Sequence, residues 1–463
     1  MRNEGKSMGI TFGTDGWRAI VGKDFNTDNV TTATNAIAKY IFDNFGMNKK
    51  IIIGYDPRNM ADIFSMQCAE ILADFGFEVL YSKSVIPTPV LAYSAKHLNA
   101  CAIMFTASHN PPEYLGLKFI PDYAGPATSD ITDEIMYNLG VKFKSFGKGE
   151  IRHYNFKPDY FAHMQKLVDY KKIRELSENI IFDGLYSASI GYFDKILENN
   201  GIKFETLHMH HDPNFGGGMP EPKPKYLKEL IEKVKAEPDS IGLANDGDAD
   251  RFGVINEDGE YVSPNGIIAI LLMHLKKNKH MEGPLVKTVG ASLLLDKVAE
   301  KLGVDVIETA VGFKHVGEAM RKFNPIIGGE ESGGLSIKGH IPEKDGLLAN
   351  SLILEAMAYE NKSLKQLQHD LYEFAGCKFY NDRIDKKLEN KEEIKPVLEK
   401  YKDLKSIGEY NVIRTDTKDG VKLYLEDTTS WILIRPSGTE PLLRIYFESD
   451  SIDKIEKLKS AVI

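Results

Sequence analysis

Residues 283–310 read GPLVKTVGASLLLDKVAEKLGVDVIETA. A short apolar run opens the stretch. A segment with apolar residues at helical spacing follows, Gly303 stops it, and a second apolar run, VDVIETA, closes it. The same arrangement occurs twice more. KKIIIGYDPRN (49–59) leads through FSMQCAEILADFG (64–76) to FEVLYS (77–82), and NIIFDGLYS (179–187) leads through IGYFDKILENNG (190–201) to IKFETLHM (202–209). Gly76, Gly201 and Gly303 hold the same place in the three copies. Strand, helix and strand in that order favour parallel pairing with a right-handed crossover. The reading is therefore three related α/β domains, at 1–149, 150–256 and 257–372.

The rest, 373–463, departs from the unit. A charged helix, NKEEIKPVLEKYKDL (390–404), precedes the strands GVKLYLED (420–427), SWILIRPSG (430–438) and LLRIYFES (442–449), and SIDKIEKLKSAV (451–462) ends it as a helix. That is a smaller α+β domain. Linkers are expected near GKGEIRHYNF (147–156), NEDGEYVSPNG (256–266) and YEFAGCK (372–378).

The 463 residues, 42% apolar and 27% charged, are those of a multidomain globular protein. A net charge of -9, from 67 acidic and 58 basic residues, argues against a nucleic-acid partner but not against small anions held by local arginines. The N-terminus MRNEGKSMGI lacks the apolar core of a signal peptide, and GIIAILLMHL is too short to span a bilayer. Cys68, Cys101 and Cys377 form neither a disulfide framework nor a zinc pattern, so the cytoplasm is the expected compartment.

Four loops carry chemistry. In FTASHNPPEYLGLKF (105–119) a strand delivers Ser108, His109 and Asn110 ahead of two prolines. No G-x-S-x-G elbow surrounds the serine, and adjacent side chains point apart, which disfavours a Ser–His hydrolase. A phosphoryl-carrying serine and a plain turn both remain. In LANDGDADRFGVI, Asp246, Asp248 and Asp250 alternate. Their mutual repulsion calls for a cation. Arg251 stands at the sixth position, where a calcium loop needs glycine, so magnesium with a phosphate fits better, against a solvated acidic turn. GGEESGG (328–334) puts Glu330 and Ser332 on one side of an extended segment, a possible grip for sugar hydroxyls or an ordinary glycine-rich turn. RPSGTEP (435–441) offers an arginine fork, two hydroxyls and backbone N–H groups, a phosphate cradle or a tight turn.

Together the four loops, in this order, resemble the α-D-phosphohexomutases, the phosphoglucomutase and phosphomannomutase family. FGTDGWRA (12–19) and GHIPEKDG (339–346) match it as well, and the resemblance covers nearly the whole chain. It implies mixed sheets in the three α/β domains and an arrangement of all four domains around a central cleft. It implies an isomerase that moves phosphate between C1 and C6 of a hexose, with glucose 1-phosphate the expected substrate and mannose or glucosamine phosphates the alternatives.

By that resemblance Ser108 carries the phosphoryl group, and Asp246, Asp248, Asp250 and a phosphoserine oxygen hold Mg2+. His109 and Asn110 line the transfer site, Lys118 does acid–base work, and Arg251 steadies the transferring charge. Arg435, Ser437, Gly438 and Thr439 grip the distal phosphate, and Glu330 and Ser332 hold the C3 and C4 hydroxyls. Arg18, Lys287, Gly312 and Lys344 fall at further contact positions. A hexose 1,6-bisphosphate is the implied intermediate and activator, and a monomer or homodimer the implied assembly. Val311 departs from the threonine that many phosphoglucomutases have before Gly312. A metal-dependent phosphatase would share Ser108 and the aspartates without needing the cradle, and a non-catalytic sensor should lack one of them.

Overall fold

The computed structural model describes residues 9–13, 15–436 and 442–462. The stretch 283–310 forms a strand at Leu285–Thr288, a helix at Leu293–Leu302 and a strand at Val306–Thr309 parallel to the first. The Ser292 hydroxyl caps the helix by accepting the Leu294 N–H, and Gly303 ends it at φ 64°, a left-handed turn that costs glycine little. The other two units run Lys50–Tyr55, Ala61–Phe75, Val79–Ser82 and Asn179–Asp183, Phe193–Asn199, Phe204–Leu207, again with parallel strands. Ile51, Ile52 and Ile53 are all buried because both faces of their strand are covered, which is why the run is apolar without alternation.

Each sheet also carries a third strand, parallel to the first on its other side, that returns through a hairpin to an antiparallel fourth. These are Ala100–Phe105 with Tyr114–Ile120, Ser240–Asn245 with Phe252–Ile255, and Ile327–Glu330 with Gly334–Ile337. The sheets are mixed for this reason. The first adds Trp17–Ile20 at one edge and Ile151–Tyr154 at the other. Residues 151–154 lie in a stretch expected to be a linker; they pair instead with the open backbone edge of Val79–Ser82. The last domain is one antiparallel sheet in the order Tyr380–Lys387, Leu442–Ser449, Trp431–Pro436, Val421–Leu425, Tyr410–Asp416, Ser406–Ile407.

One apolar core runs through the first three domains, from Leu91 and Met104 through Phe182 and Leu243 to Leu271 and Leu352. The fourth has its own, around Leu423, Ile432 and Phe447, and meets the third through Val289, Trp431 and Leu433. Among the described residues no helix is long and apolar enough to cross a membrane.

Candidate active site

The hairpin turns bring three of the four loops to definite places. In the first, Ser108 is fully buried and sits at φ 51°, a left-handed backbone unusual for a residue with a Cβ. Its N–H donates to Thr106 Oγ1 at 2.8 Å. Its Oγ lies 3.3 Å from His109 Nδ1 and donates to Asp246 Oδ2 at 2.9 Å. Arg251 and burial hold His109 well below the usual imidazole range, so it is neutral at pH 7. Gly247 lies against the Ser108 carbonyl so closely that a Cβ there would stand 2.6 Å from the oxygen. First and second domains meet at this point.

Asp246, Asp248 and Asp250 are fully buried, and one carboxylate oxygen from each lies within 4.8 Å of the others. Burial, then Asp250 and Asp248, push the Asp246 carboxyl well above its usual range. Arg251 N donates to Asp246 Oδ1 at 2.9 Å, and Thr88 Oγ1 donates to Asp248 Oδ2 at 2.6 Å. Asp248 Oδ1 and Asp250 Oδ1 are buried without a hydrogen-bond partner. Buried carboxylate oxygens left unsatisfied are costly, and a hard cation with oxygen ligands would satisfy them. The donor set therefore fits a magnesium ion.

Two ammonium groups face the aspartates. Lys118 Nζ is 3.2 Å from Asp250 and 3.3 Å from Asp248, and Lys344 Nζ is 2.8 Å from Asp250. Burial alone would depress Lys118, but Asp15, Asp248 and Asp250 hold it well above its ordinary value. Gly334 leaves the room through which the Lys344 stem passes. Asp15 joins these cations: its Oδ2 is 2.6 Å from Arg18 Nη2, 3.0 Å from Lys118 and 3.7 Å from Lys344. Although burial opposes ionisation, Lys118, Lys344 and Arg18 keep Asp15 well below the usual range. Arg18 Nη1 also donates to Asn110 Oδ1 at 2.7 Å. Glu343 is buried beside the cluster, and desolvation pushes its carboxyl up to about 8 against the pull of Lys344 and Lys118. Asp15 and Glu343 stand inside FGTDGWRA and GHIPEKDG, so the motifs were the signal for them, although the sequence reading assigns neither a role.

In the third hairpin the Ser332 hydroxyl donates to Glu330, and Thr288 donates to Glu331. Lys287 is not brought to this side. Its ammonium is buried against Asp296, 3.4 Å from Ser292 O and 3.8 Å from Glu308. Successive strand residues face opposite ways, and Thr288 takes the side of the glycine-rich loop. Gly312, at φ 117°, opens the helix Phe313–Phe323, and Val311 packs on the Val289, Trp431 and Leu433 cluster between the third and fourth domains. Where a threonine is common, this chain has apolar interdomain packing. Arg435 pairs with Asp419; Ser437, Gly438 and Thr439 lie outside the described residues.

Profiles of the phosphoglucomutase/phosphomannomutase family match the chain four times: alpha/beta/alpha domain I at residues 9–141, domain II at 158–259, domain III at 263–374 and the C-terminal domain at 384–463. A phosphoglucomutase/phosphomannomutase of Thermococcus kodakarensis is 29% identical over 452 residues, 96% of either chain. A probable phosphoglucosamine mutase of Methanosphaera stadtmanae is 32% identical over 466 residues, 98% of either chain. The crystal structure of a putative phosphomannomutase from Thermus thermophilus superposes with a TM-score of 0.87 at 30% identity, over 98% of both chains.

Proposed function

This chain belongs to the α-D-phosphohexomutase family, and from that premise we propose that it interconverts α-D-glucose 1-phosphate and glucose 6-phosphate through a phosphorylated Ser108. It is an isomerase of the intramolecular phosphotransferase type. The observation that carries the proposed route is the meeting of Ser108 Oγ with Asp246 beside the unpartnered oxygens of Asp248 and Asp250.

On this reading the resting enzyme carries phosphate on Ser108. The free sugar hydroxyl attacks phosphorus and gives up its proton, the bond to Ser108 Oγ breaks as that oxygen takes up a proton, and a hexose 1,6-bisphosphate forms. It turns over within the cleft and returns its other phosphate to the serine. A magnesium ion held by Asp246, Asp248, Asp250 and a phosphoserine oxygen would stabilise charge on the phosphoryl oxygens as a Lewis acid. Lys118 is the group proposed for acid–base work; its three carboxylates hold it as an ammonium, which makes it a weak acid and first of all a fixed positive charge beside the reacting groups. Arg251 stands by the transferring charge, and neutral His109 lies beside Ser108 Oγ, its Nδ1 3.3 Å away. Glu330 and Ser332 take sugar hydroxyls. Arg18, Lys344 and Gly312 bound the sugar, and Arg435, Ser437, Gly438 and Thr439 hold whichever phosphate is not reacting. Lys287, turned toward Asp296, is left out of this set.

A second reading, glucosamine phosphate, is favoured by the names of several full-length relatives, the Methanosphaera and Thermosipho africanus proteins among them; mannose phosphate stands third. The test is to offer the three hexose 1-phosphates, each with a trace of its 1,6-bisphosphate, and to compare kcat/KM. Glucose is expected to lead. A lead for glucosamine transfers the assignment to the second reading, and no isomerisation of any of them overturns the mutase.

A further inference from the structure

Arg58 follows Pro57 in the turn after the strand Lys50–Tyr55, and as sequence it is a turn residue. The residue is only 3% exposed. Nη1 donates to Pro111 O at 2.8 Å and Tyr114 O at 2.9 Å, and Nη2 donates to Ser108 O at 2.7 Å and Asn110 O at 2.6 Å. Four carbonyls of one loop thus converge on one guanidinium. Behind it, Asp56 Oδ2 is 3.2 Å from Arg58 Nε and accepts the Thr106 hydroxyl at 2.6 Å, while Asp56 Oδ1 accepts Arg58 N at 3.0 Å. Thr106 Oγ1 is the atom that accepts the Ser108 N–H. Ser108 is therefore held from both sides, its N–H through Thr106 and Asp56 and its carbonyl through Arg58. Phe215 of the second domain covers the guanidinium, 5.1 Å from ring centroid to Cζ.

A buried arginine that serves stability alone needs a carboxylate and any nearby acceptors. Here both terminal nitrogens are spent on the backbone between residues 108 and 114, which surrounds a serine in a conformation that residues with a Cβ avoid. We propose that Arg58, backed by Asp56 and Thr106, is a positioning residue that fixes the Ser108 backbone in its left-handed turn so that Oγ faces the aspartate cluster. This rests on Ser108 being the phosphoryl carrier. The fork of the guanidinium is essential: a lysine keeps the charge but presents a single point and cannot reach four carbonyls at once.

The test uses full-length wild type, Arg58→Lys and Arg58→Gly, each with magnesium and matching bisphosphate. A misplaced nucleophile costs turnover rather than affinity, so R58K should lose roughly 100-fold in kcat, with KM within about twofold of wild type because the sugar contacts lie in other loops. R58G should be inactive and partly restored by ethylguanidinium, but not by ethylammonium. Circular dichroism on the same samples gives the folded fraction. Wild-type kcat in R58K, loss that merely follows the folded fraction, or failure of ethylguanidinium to act better than ethylammonium overturns the Arg58 role. If wild type neither isomerises nor carries phosphate on Ser108, the carrier reading itself has failed and this one falls with it.

Discussion

Asp419 accepts from Arg435 twice on one oxygen: Nε lies 3.0 Å and Nη2 2.9 Å from Asp419 Oδ2. The same oxygen accepts the Val311 N–H at 2.9 Å, from the third domain. The guanidinium proposed to grip the distal phosphate is thus wired to the residue before Gly312. Arg435→Ala should lower kcat/KM by roughly 30-fold or more, since losing a buried charge-assisted partner costs about 2–5 kcal/mol. The bisphosphate, which must stay bound while it reorients, should escape more often, and transfer from Ser108 to water should change little. A labelled-phosphate assay following isomerised product and released bisphosphate reads both. Unchanged isomerisation with no added escape would show that this arginine does not hold substrate.

Purified protein should contain chains with a single phosphate on Ser108, visible by intact mass and peptide mapping. Ser108→Ala should lose nearly all turnover and still bind sugar phosphate in a titration. A phosphate on another residue of an active enzyme contradicts the route proposed.

Chelation should abolish turnover and magnesium should restore it. Calcium should bind and support turnover poorly, because it takes more ligands at longer distances. Asp248→Asn and Asp250→Asn should each raise the magnesium concentration needed for half activity. Full activity in chelator would remove the metal from the mechanism.

Lys422 is buried at the boundary of the third and fourth domains, donating to Val289 O at 2.6 Å and lying 4.2 Å from the Trp431 ring centroid. Burial, aided by Lys287, lowers its ammonium to about 8. In the unfolded chain it titrates near ~10.4, so between these values the unfolded state binds more protons and stability rises with pH. Wild type should gain up to about 2–3 kcal/mol relative to Lys422→Met as pH rises from 8 toward 10. Denaturant melts of both proteins at pH 7.5, 8.5 and 9.5 check it; a constant difference would mean that Lys422 does not titrate in this window.

Melting should also divide along the cores. Among the described residues the fourth domain packs around its own cluster and its apolar contact with the third is small, whereas one core runs through the other three beside a second cluster inside the first. Calorimetry of the full chain should therefore show a separate transition of the size expected for about 80–90 residues, and a single sharp transition would count against it.

The strand–helix–strand units were legible because helical spacing and terminal glycines are local signals. The hairpins were not, since nothing local tells that Ala100–Phe105 returns antiparallel. Their discovery explains the site: the turns bearing Ser108, Asp246–Asp250 and Glu330–Ser332 occupy the same position in three copies of one topology. Their letters share nothing, which hides the equivalence. The aspartates announce themselves by alternation and mutual repulsion. Arg58 does not, because four carbonyls from about fifty residues away converge on it only when the sheet is assembled. Nor does a lysine within a strand declare its face, and only the assembled sheet shows Lys287 paired with Asp296.

Lys118 belongs to the first domain, Asp248 and Asp250 stand 130 and 132 positions further on, and Lys344 comes later still. Asp246 follows Ser108 by 138 positions, so a ribosome adding roughly 5–20 residues per second needs about 7–28 s to bridge that gap. During the interval the emerging Ser108 has no carboxylate partner from the second domain and no Lys344 nearby. On the proposed mechanism the nascent chain is chemically mute, and phosphate on the serine becomes a seal applied only to finished molecules.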